Sequence, residues 1–281
     1  MLTLNCKGKL IVLDQPLIMG VVNITQDSFY PGSRFQNQDA IAAEVEKMRK
    51  AGAAIIDIGG QSTRPGSERH SADQEMQRTL PIVEMLSNRY PDLLVSIDTY
   101  HASVATAAVA AGAAIINDIS AGEMDPDMLQ TVAALGVPYV CMHMRGVPET
   151  MHLDTHYDGI VTEVLDFFIR KIQECRLAGI KDVIVDPGFG FGKGIGDNFS
   201  LLKGLPVLQM LSKPILVGLS RKSTVYKTLQ TAPDNALNGT TVLNTIALQN
   251  GAMLLRVHDV REAREAVILY EAYAATKTPV L

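Results

Sequence analysis

Short apolar runs recur along the chain, and each stops at a polar residue. Ile18-Met19-Gly20-Val21-Val22 leads into Asn23, Ile55-Ile56 into Asp57, Leu94-Val95-Ser96-Ile97 into Asp98, and Ile115-Ile116 into Asn117. Later, Val183-Ile184-Val185 leads into Asp186, Ile215 to Ser220 into Arg221-Lys222, and Leu254-Leu255 into Arg256-Val257-His258-Asp259. The runs are rich in Val, Ile and Leu with little polar alternation, as in strands covered on both faces. With one more run near 138–142, they predict eight strands, near 17–23, 54–58, 93–97, 114–118, 138–142, 182–186, 214–218 and 253–257. Segments with helical apolar spacing follow them, roughly 38–51, 72–89, 101–111, 126–135, 157–178, 198–211, 238–250 and 260–276. Eight strands alternating with eight helices predict an α/β fold, a (β/α)8 TIM barrel spanning 1–281 as a single domain; an open doubly wound sheet is the alternative. In such a barrel the polar strand ends gather at the carboxyl face, where sites are built.

Internal similarity agrees with this repeat. Ala51-Gly-Ala-Ala-Ile-Ile-Asp57 returns as Ala111-Gly-Ala-Ala-Ile-Ile-Asn117, a helix stop followed directly by a strand. Two connections are long: Gln26 to Asn37 after the first strand and Gly59 to Ser71 after the second. Long loops on the face where polar ends converge are read as lids.

Composition narrows the setting. A length of 281 residues suits one closed barrel, and 47% apolar with 20% charged residues is ordinary for a soluble globule. A net charge of −5 argues against a general nucleic-acid or anionic-membrane surface while permitting a local cationic pocket. No apolar run approaches the ~20 residues of a membrane span, and Met1 to Pro16 lacks the pattern of a signal peptide. Three cysteines, Cys6, Cys141 and Cys175, make no disulfide framework and suit a reducing compartment, so a cytoplasmic location is expected.

The polar ends fall into two chemical groups. Asp98, Asn117 and Asp186 offer acceptors and an amide to the N–H edge of a flat heterocycle. Arg64, Lys222, Arg256 and His258 offer cations to phosphate or diphosphate, where they would stabilise a departing anion. Each has a plainer reading: Asp98 as a helix cap, Asp57 as a polar filler of the barrel interior, His258 as an ordinary surface histidine, and Asp259 as the cap of the last helix. Gly188-Phe-Gly-Phe-Gly-Lys193-Gly-Ile-Gly196 has the look of a phosphate loop without its spacing. Cys141-Met142-His143 has no second ligand pair for zinc. No Trp is present to make a stacking platform for single-stranded nucleic acid.

Seven ordered motifs make the chain resemble bacterial dihydropteroate synthases, pterin-binding barrel enzymes, over nearly its whole length. They are Met19 to Phe29, Asp57 to Gly66 with Gln-Ser-Thr-Arg-Pro-Gly, Ser96-Ile-Asp98-Thr99, Ile116-Asn117-Asp118, Asp186 to Lys193, Gly218-Leu-Ser-Arg-Lys222-Ser223, and Arg256-Val-His258-Asp259. The resemblance implies a transferase of folate synthesis, a sulfonamide target, that joins a dihydropterin methyl diphosphate to 4-aminobenzoate and releases diphosphate. It implies pterin contacts from Asp98, Asn117, Asp186 and Lys222, and diphosphate contacts from Asn23, Thr63, Arg64, Arg256 and His258. It further implies an aminobenzoate site of Thr63, Pro65, Phe191, Lys222 and Ser223, a Mg²⁺ ion held by Asn23 and the diphosphate, and catalysis by Arg64, Lys222, Arg256 and His258. Gln26, Gln61, Tyr226 and the Gly-Ile-Gly after Lys193 depart from the family pattern. A pterin-binding methyltransferase domain would share the acceptors but has no diphosphate to hold, and a non-catalytic pterin binder would not need the intact loop motif Ser62-Thr63-Arg64-Pro65-Gly66, which is expected to serve the second substrate. The apolar Val267-Ile268-Leu269 and Tyr270 point to a homodimer.

Overall fold

The computed structural model describes residues 2–24, 34–61, 70–151 and 155–276, with the backbone alone for 34–37. An antiparallel hairpin, β1 (Leu2–Cys6) and β2 (Lys9–Leu13), comes first, turning at Lys7 and Gly8, both with positive φ. Then strands and helices alternate: β3 (Leu17–Asn23), α1 (Arg34–Lys50), β4 (Ile55–Gly59), α2 (Ala72–Arg89), β5 (Leu94–Asp98) and α3 (Ala102–Ala111). They continue with β6 (Ile115–Asp118), α4 (Met128–Leu135), β7 (Tyr139–Met142), α5 (Ile160–Ala178), β8 (Val183–Asp186) and α6 (Ile195–Lys203). The last are β9 (Leu216–Val217), α7 (Ser223–Thr228), α8 (Leu237–Gln249), β10 (Leu254–Val257) and α9 (Val260–Ala275).

The eight strands β3 to β10 are parallel in the order β8-β7-β6-β5-β4-β3-β10-β9, and a bridge from Val185 to Ile215 joins the two ends of the sheet. The expected (β/α)8 barrel is therefore observed, and the open sheet is not. Register puts the polar ends level: Asn23 lies beside Gly59, Gly59 beside Asp98, and Asp98 beside Asn117. Below this rung the interior is apolar. Met19, Ile55, Ile115, Val140, Ile184, Leu216 and Leu254 pack on Leu4, Cys6 and Leu13 of the hairpin, which plugs the amino end of the barrel.

Four local features differ from the sequence reading; one is α7, a short helix that no expected segment covers. The hairpin was not predicted, because Met1 to Pro16 was read only against a signal peptide; its alternation is visible in the burial of Leu4 and Cys6 between exposed Thr3 and Asn5. The helix expected over 198–211 breaks after Lys203, where Pro206 opens a 3-10 turn over Leu205–Leu211. The strand expected over 214–218 shrinks to Leu216–Val217. Among the described residues no helix is long and apolar enough to cross a membrane.

Candidate active site

Arg256 is the hub of the carboxyl face. Its Nε donates to Asp57 Oδ2 at 2.7 Å and its Nη2 to Asp98 Oδ2 at 2.6 Å, while Asn117 Nδ2 donates to the same Asp57 oxygen at 2.9 Å. Three strand ends and one residue from inside the barrel are thus tied into one network. Burial pushes Asp98 up to about 7; Arg256 pulls it down, and Asp57, Asp118 and Asp186 push it up again. Burial works against the charge of Arg256, but Asp57 and Asp98 outweigh it and keep the guanidinium ionised.

Asp186 and Lys222 face this network from β8 and from the loop after β9. Burial raises the Asp186 carboxyl, against Lys222 and the N–H of Gly188, which donates to Oδ1 at 2.8 Å. Burial lowers Lys222 to about 8, against the attraction of Asp186. The Lys222 ammonium donates to the carbonyl of Phe189 at 2.6 Å and lies 4.6 Å from the Phe191 ring centre. Ser223 begins α7 beside it. Phe191 packs against an apolar wall of Tyr100, Ile119, Met142, Met144 and Met151, which closes one side of the mouth.

The glycine-rich segment does not bind anions through its lysine. Lys193 is buried and gives its three N–H bonds to the carbonyls of His143 (3.1 Å), Gly188 (2.9 Å) and Phe191 (3.0 Å). It is a staple holding the loop after β8 against the loop after β7. Gly188 allows that contact: with φ +68, a Cβ there would stand 1.9 Å from the carbonyl oxygen of His143. His143 itself is pushed down to about 2 by burial, then by Lys193 and Arg145, and so stays neutral.

At the end of β10, the backbone N–H of His258 donates to Ser220 Oγ at 3.2 Å, and Nδ1 lies 3.0 Å from the same oxygen. Ser220 Oγ thus holds the imidazole through the His258 backbone and through Nδ1, fixing the ring at the mouth. Burial and the charge of Arg256 lower the His258 pKa. His258, expected among the cations, stands at the mouth, where burial and Arg256 disfavour its charged form.

Several sequence expectations change here. Asp98 does not cap α3, because Asp125 accepts from the Ala102 N–H at 2.8 Å in that role. Asp259 occupies the N-cap position just before α9 without a side-chain capping bond; its carboxylate is taken by Arg221 at 2.8 Å. Asp57, read as an even choice between filler and site, belongs to the site, and Ser220 was missed. An acid between isoleucines in a fully buried strand was the available signal for Asp57; Ser220 gave none apart from its place next to Arg221-Lys222. Asn23 ends β3, its Oδ1 in the space over Gly59 that a Cβ would fill at 3.3 Å. Thr63, Arg64, Pro65 and Gln26, and with them most of both supposed lids, lie outside the described residues. Gln61 accepts from Tyr100 Oη at 3.0 Å, and Tyr226 packs on the core.

A parallel barrel whose mouth combines buried acceptors with cations is the architecture of a pterin-binding enzyme, and the profile of the family described as "Pterin binding enzyme" matches residues 19–258. The chain is 39% identical to the dihydropteroate synthase of Escherichia coli (strain K12), over 98% of this chain and 97% of that one. It superposes on a Yersinia pestis dihydropteroate synthase, solved with a sulfonamide drug, with TM-score 0.92 and 40% identity over 98% of this chain and 100% of that one. A Xanthomonas albilineans dihydropteroate synthase in complex with 7,8-dihydropteroate gives TM-score 0.86 and 37% identity over 98% and 99% of the two chains. The chain belongs to the dihydropteroate synthases, and is a transferase of that type.

Proposed function

We propose that the barrel mouth joins 6-hydroxymethyl-7,8-dihydropterin diphosphate to 4-aminobenzoate, with diphosphate leaving first and the arylamine capturing the pterin cation. The observation that carries this reading is the convergence of Asp98, Asn117 and Asp186 with Lys222, Arg256 and His258 at one end of one barrel. Asp186 and Asp98 accept from the amino and ring N–H groups of the pterin, and Asn117, fixed by Asp57, supplies a further polar edge. The remaining N–H groups of Arg256 and the imidazole of His258 face the departing diphosphate. Arg64 joins them, and Lys222 lies between the two groups. Positioning and anion stabilisation suffice, and no nucleophile from the protein is needed.

Aminobenzoate is assigned to Phe191, Lys222 and Ser223 together with Thr63 and Pro65. Asn23 fits a Mg²⁺ ion, because its amide oxygen is a hard ligand at the exposed end of β3, 3.3 Å from where a Cβ on Gly59 would stand. Among the described residues no group of three His, Cys, Asp or Glu could form a complete metal cage. A Mg²⁺ site with one protein ligand, the rest being water and phosphate oxygens, suits this geometry. When bound, the ion supplies charge neutralisation to the diphosphate.

A cytoplasmic location accords with three free, buried cysteines. A homodimer is supported by the outward faces of α8 and α9, where Val242, Ile268, Leu269 and Tyr273 are exposed; Val267 turns inward to the core.

The test is formation of dihydropteroate with diphosphate release dependent on both substrates. Failure to form dihydropteroate from the two substrates together, or no diphosphate release at all, overturns the synthase reading. Aminobenzoate titrated with and without Mg²⁺ and diphosphate then tests binding order. The expected result is weak binding to the free protein and tight binding with both present, since a first ligand that orders a loop removes the cost of ordering it.

A further inference from the structure

The barrel is held least by backbone pairing at the strand that delivers Lys222. β9 pairs with β10 at two positions only, Leu216 with Leu254 and Val217 with Leu255, and meets β8 through the single bridge at Ile215. Side chains take over beyond that point. Ser220 is joined twice to His258, and Arg221 grips the next residue, Asp259, with Nε and Nη2 each 2.8 Å from a carboxylate oxygen. Its Nη1 reaches the other way, to the carbonyls of Pro233 (3.1 Å) and Asp234 (2.8 Å) in the turn before α8. Its backbone N–H donates to Thr240 Oγ1 at 3.0 Å, and its φ of 55 is left-handed, a conformation a side-chain-bearing residue holds only when its surroundings impose it.

Four of the five guanidinium N–H bonds of Arg221 are therefore committed to protein. It stands next to Lys222 in sequence and across from His258, yet it is not a ligand for the substrate anion. We propose that Arg221 is a positioning residue: its clasp on Asp259 stands in for the missing strand pairing and fixes His258 against Lys222. The clasp has an electrostatic consequence as well. Asp259 is a carboxylate one residue from His258, and Arg221 neutralises it where a free negative charge would oppose diphosphate. The inference rests on the diphosphate role proposed for His258, and extends it to two residues that no substrate touches.

The test compares Arg221→Gln, Arg221→Lys and Asp259→Asn with the parent protein, reading inorganic diphosphate affinity in Mg²⁺ by calorimetry and kcat and KM for the pterin diphosphate. Arg221→Gln and Asp259→Asn are expected to weaken diphosphate on the order of tenfold, the size of coupling between residues of one network. Arg221→Lys restores part of that, having charge but no fork. The decisive reading is a cycle with His258→Ala: an effect acting through His258 largely disappears in the Arg221→Gln/His258→Ala protein. Full additivity in the cycle, or wild-type diphosphate affinity in Asp259→Asn, overturns the proposal. If Arg221→Gln fails to fold, Asp259→Asn carries the same cycle, since it leaves Arg221 bonded to the 233–235 turn. Failure of the synthase reading shows separately, as absent turnover in the parent protein, while the diphosphate titration still decides the role of Arg221.

Discussion

Replacing Asp57 by Asn alters one oxygen shared by two donors. In the parent protein Oδ2 receives the Arg256 Nε–H at 2.7 Å and the Asn117 amide at 2.9 Å, while Oδ1 is buried with no partner. The variant keeps the shape and loses the charge. A hydrogen bond to a charged group is worth about 1.5–3 kcal/mol, and breaking a buried ion pair outright about 3–5 kcal/mol. Arg256 retains Asp98, so the lower range applies, and kcat/KM should fall by about 10–100-fold at 1.4 kcal/mol per factor of ten. A second effect has a definite sign. The Asp57 charge is one of the influences raising Asp98 toward 7, so its removal lowers the Asp98 pKa. If pterin binding needs ionised Asp98, the acidic limb of the kcat/KM profile, expected near pH 7, moves to lower pH in the variant. Steady-state rates from pH 5 to 9, with pterin affinity by calorimetry, measure both. An unmoved acidic limb with undiminished kcat/KM would refute the reasoning and return Asp57 to the role of a barrel filler.

Four further outcomes are expected. Asp186→Asn should weaken a pterin ligand by about 1.5–3 kcal/mol in calorimetry, because one acceptor oxygen becomes a donor. Lys193→Met should destabilise the fold by about 2 kcal/mol or more in urea titration, since three carbonyls lose their donor. Glu75, buried with both carboxyl oxygens unpartnered, is raised from 4.5 to about 7 by burial; its stabilising proton is fully present below pH 4.5 and lost as pH rises through about 7. Glu75→Gln should therefore remove about 3 kcal/mol of stability loss across that window, seen as a flatter dependence of unfolding free energy on pH. Leu269→Glu, at a residue 70% exposed on α9, should shift sedimentation from dimer to monomer with little change in melting temperature of the isolated subunit.

The barrel was legible because strands buried on both faces carry an unbroken apolar signal, and a polar residue ending such a run has few reasons to be there. Asp98, Asn117, Asp186, Lys222, Arg256 and His258 were found this way, and all come to one face. What stayed hidden depends on pairing between distant residues. Asp57 and Arg256 are 199 positions apart, and only the closed barrel brings them to 2.7 Å. The surroundings of His258 were hidden for a related reason: residue type announces an ionisable ring, while the burial and the Arg256 charge that lower its pKa are not revealed by local spacing. Lys193 agrees with the missing phosphate-loop spacing. A lysine after a glycine-rich run suggests an anion, and only the three carbonyls around it show that its donors are spent.

These cases share one physical cause. In this closed barrel the ring of strand-end charges shares one largely buried face, so each is strongly influenced by the others. Asp98 and Lys222 both sit near neutrality in pKa because burial opposes ionisation and the opposite charge nearby only partly restores it. Such groups form strong bonds with a ligand that completes their pairing, since the desolvation cost has already been met on folding. Under the proposed function, a pterin edge facing Asp98 and Asp186 and an anion facing Lys222 and Arg256 would complete both halves of the ring together. The same balance explains why restraints such as Asp57 on Arg256 and Arg221 on Asp259 lie immediately behind it: without them the charges of the ring would collapse onto one another rather than wait for substrate.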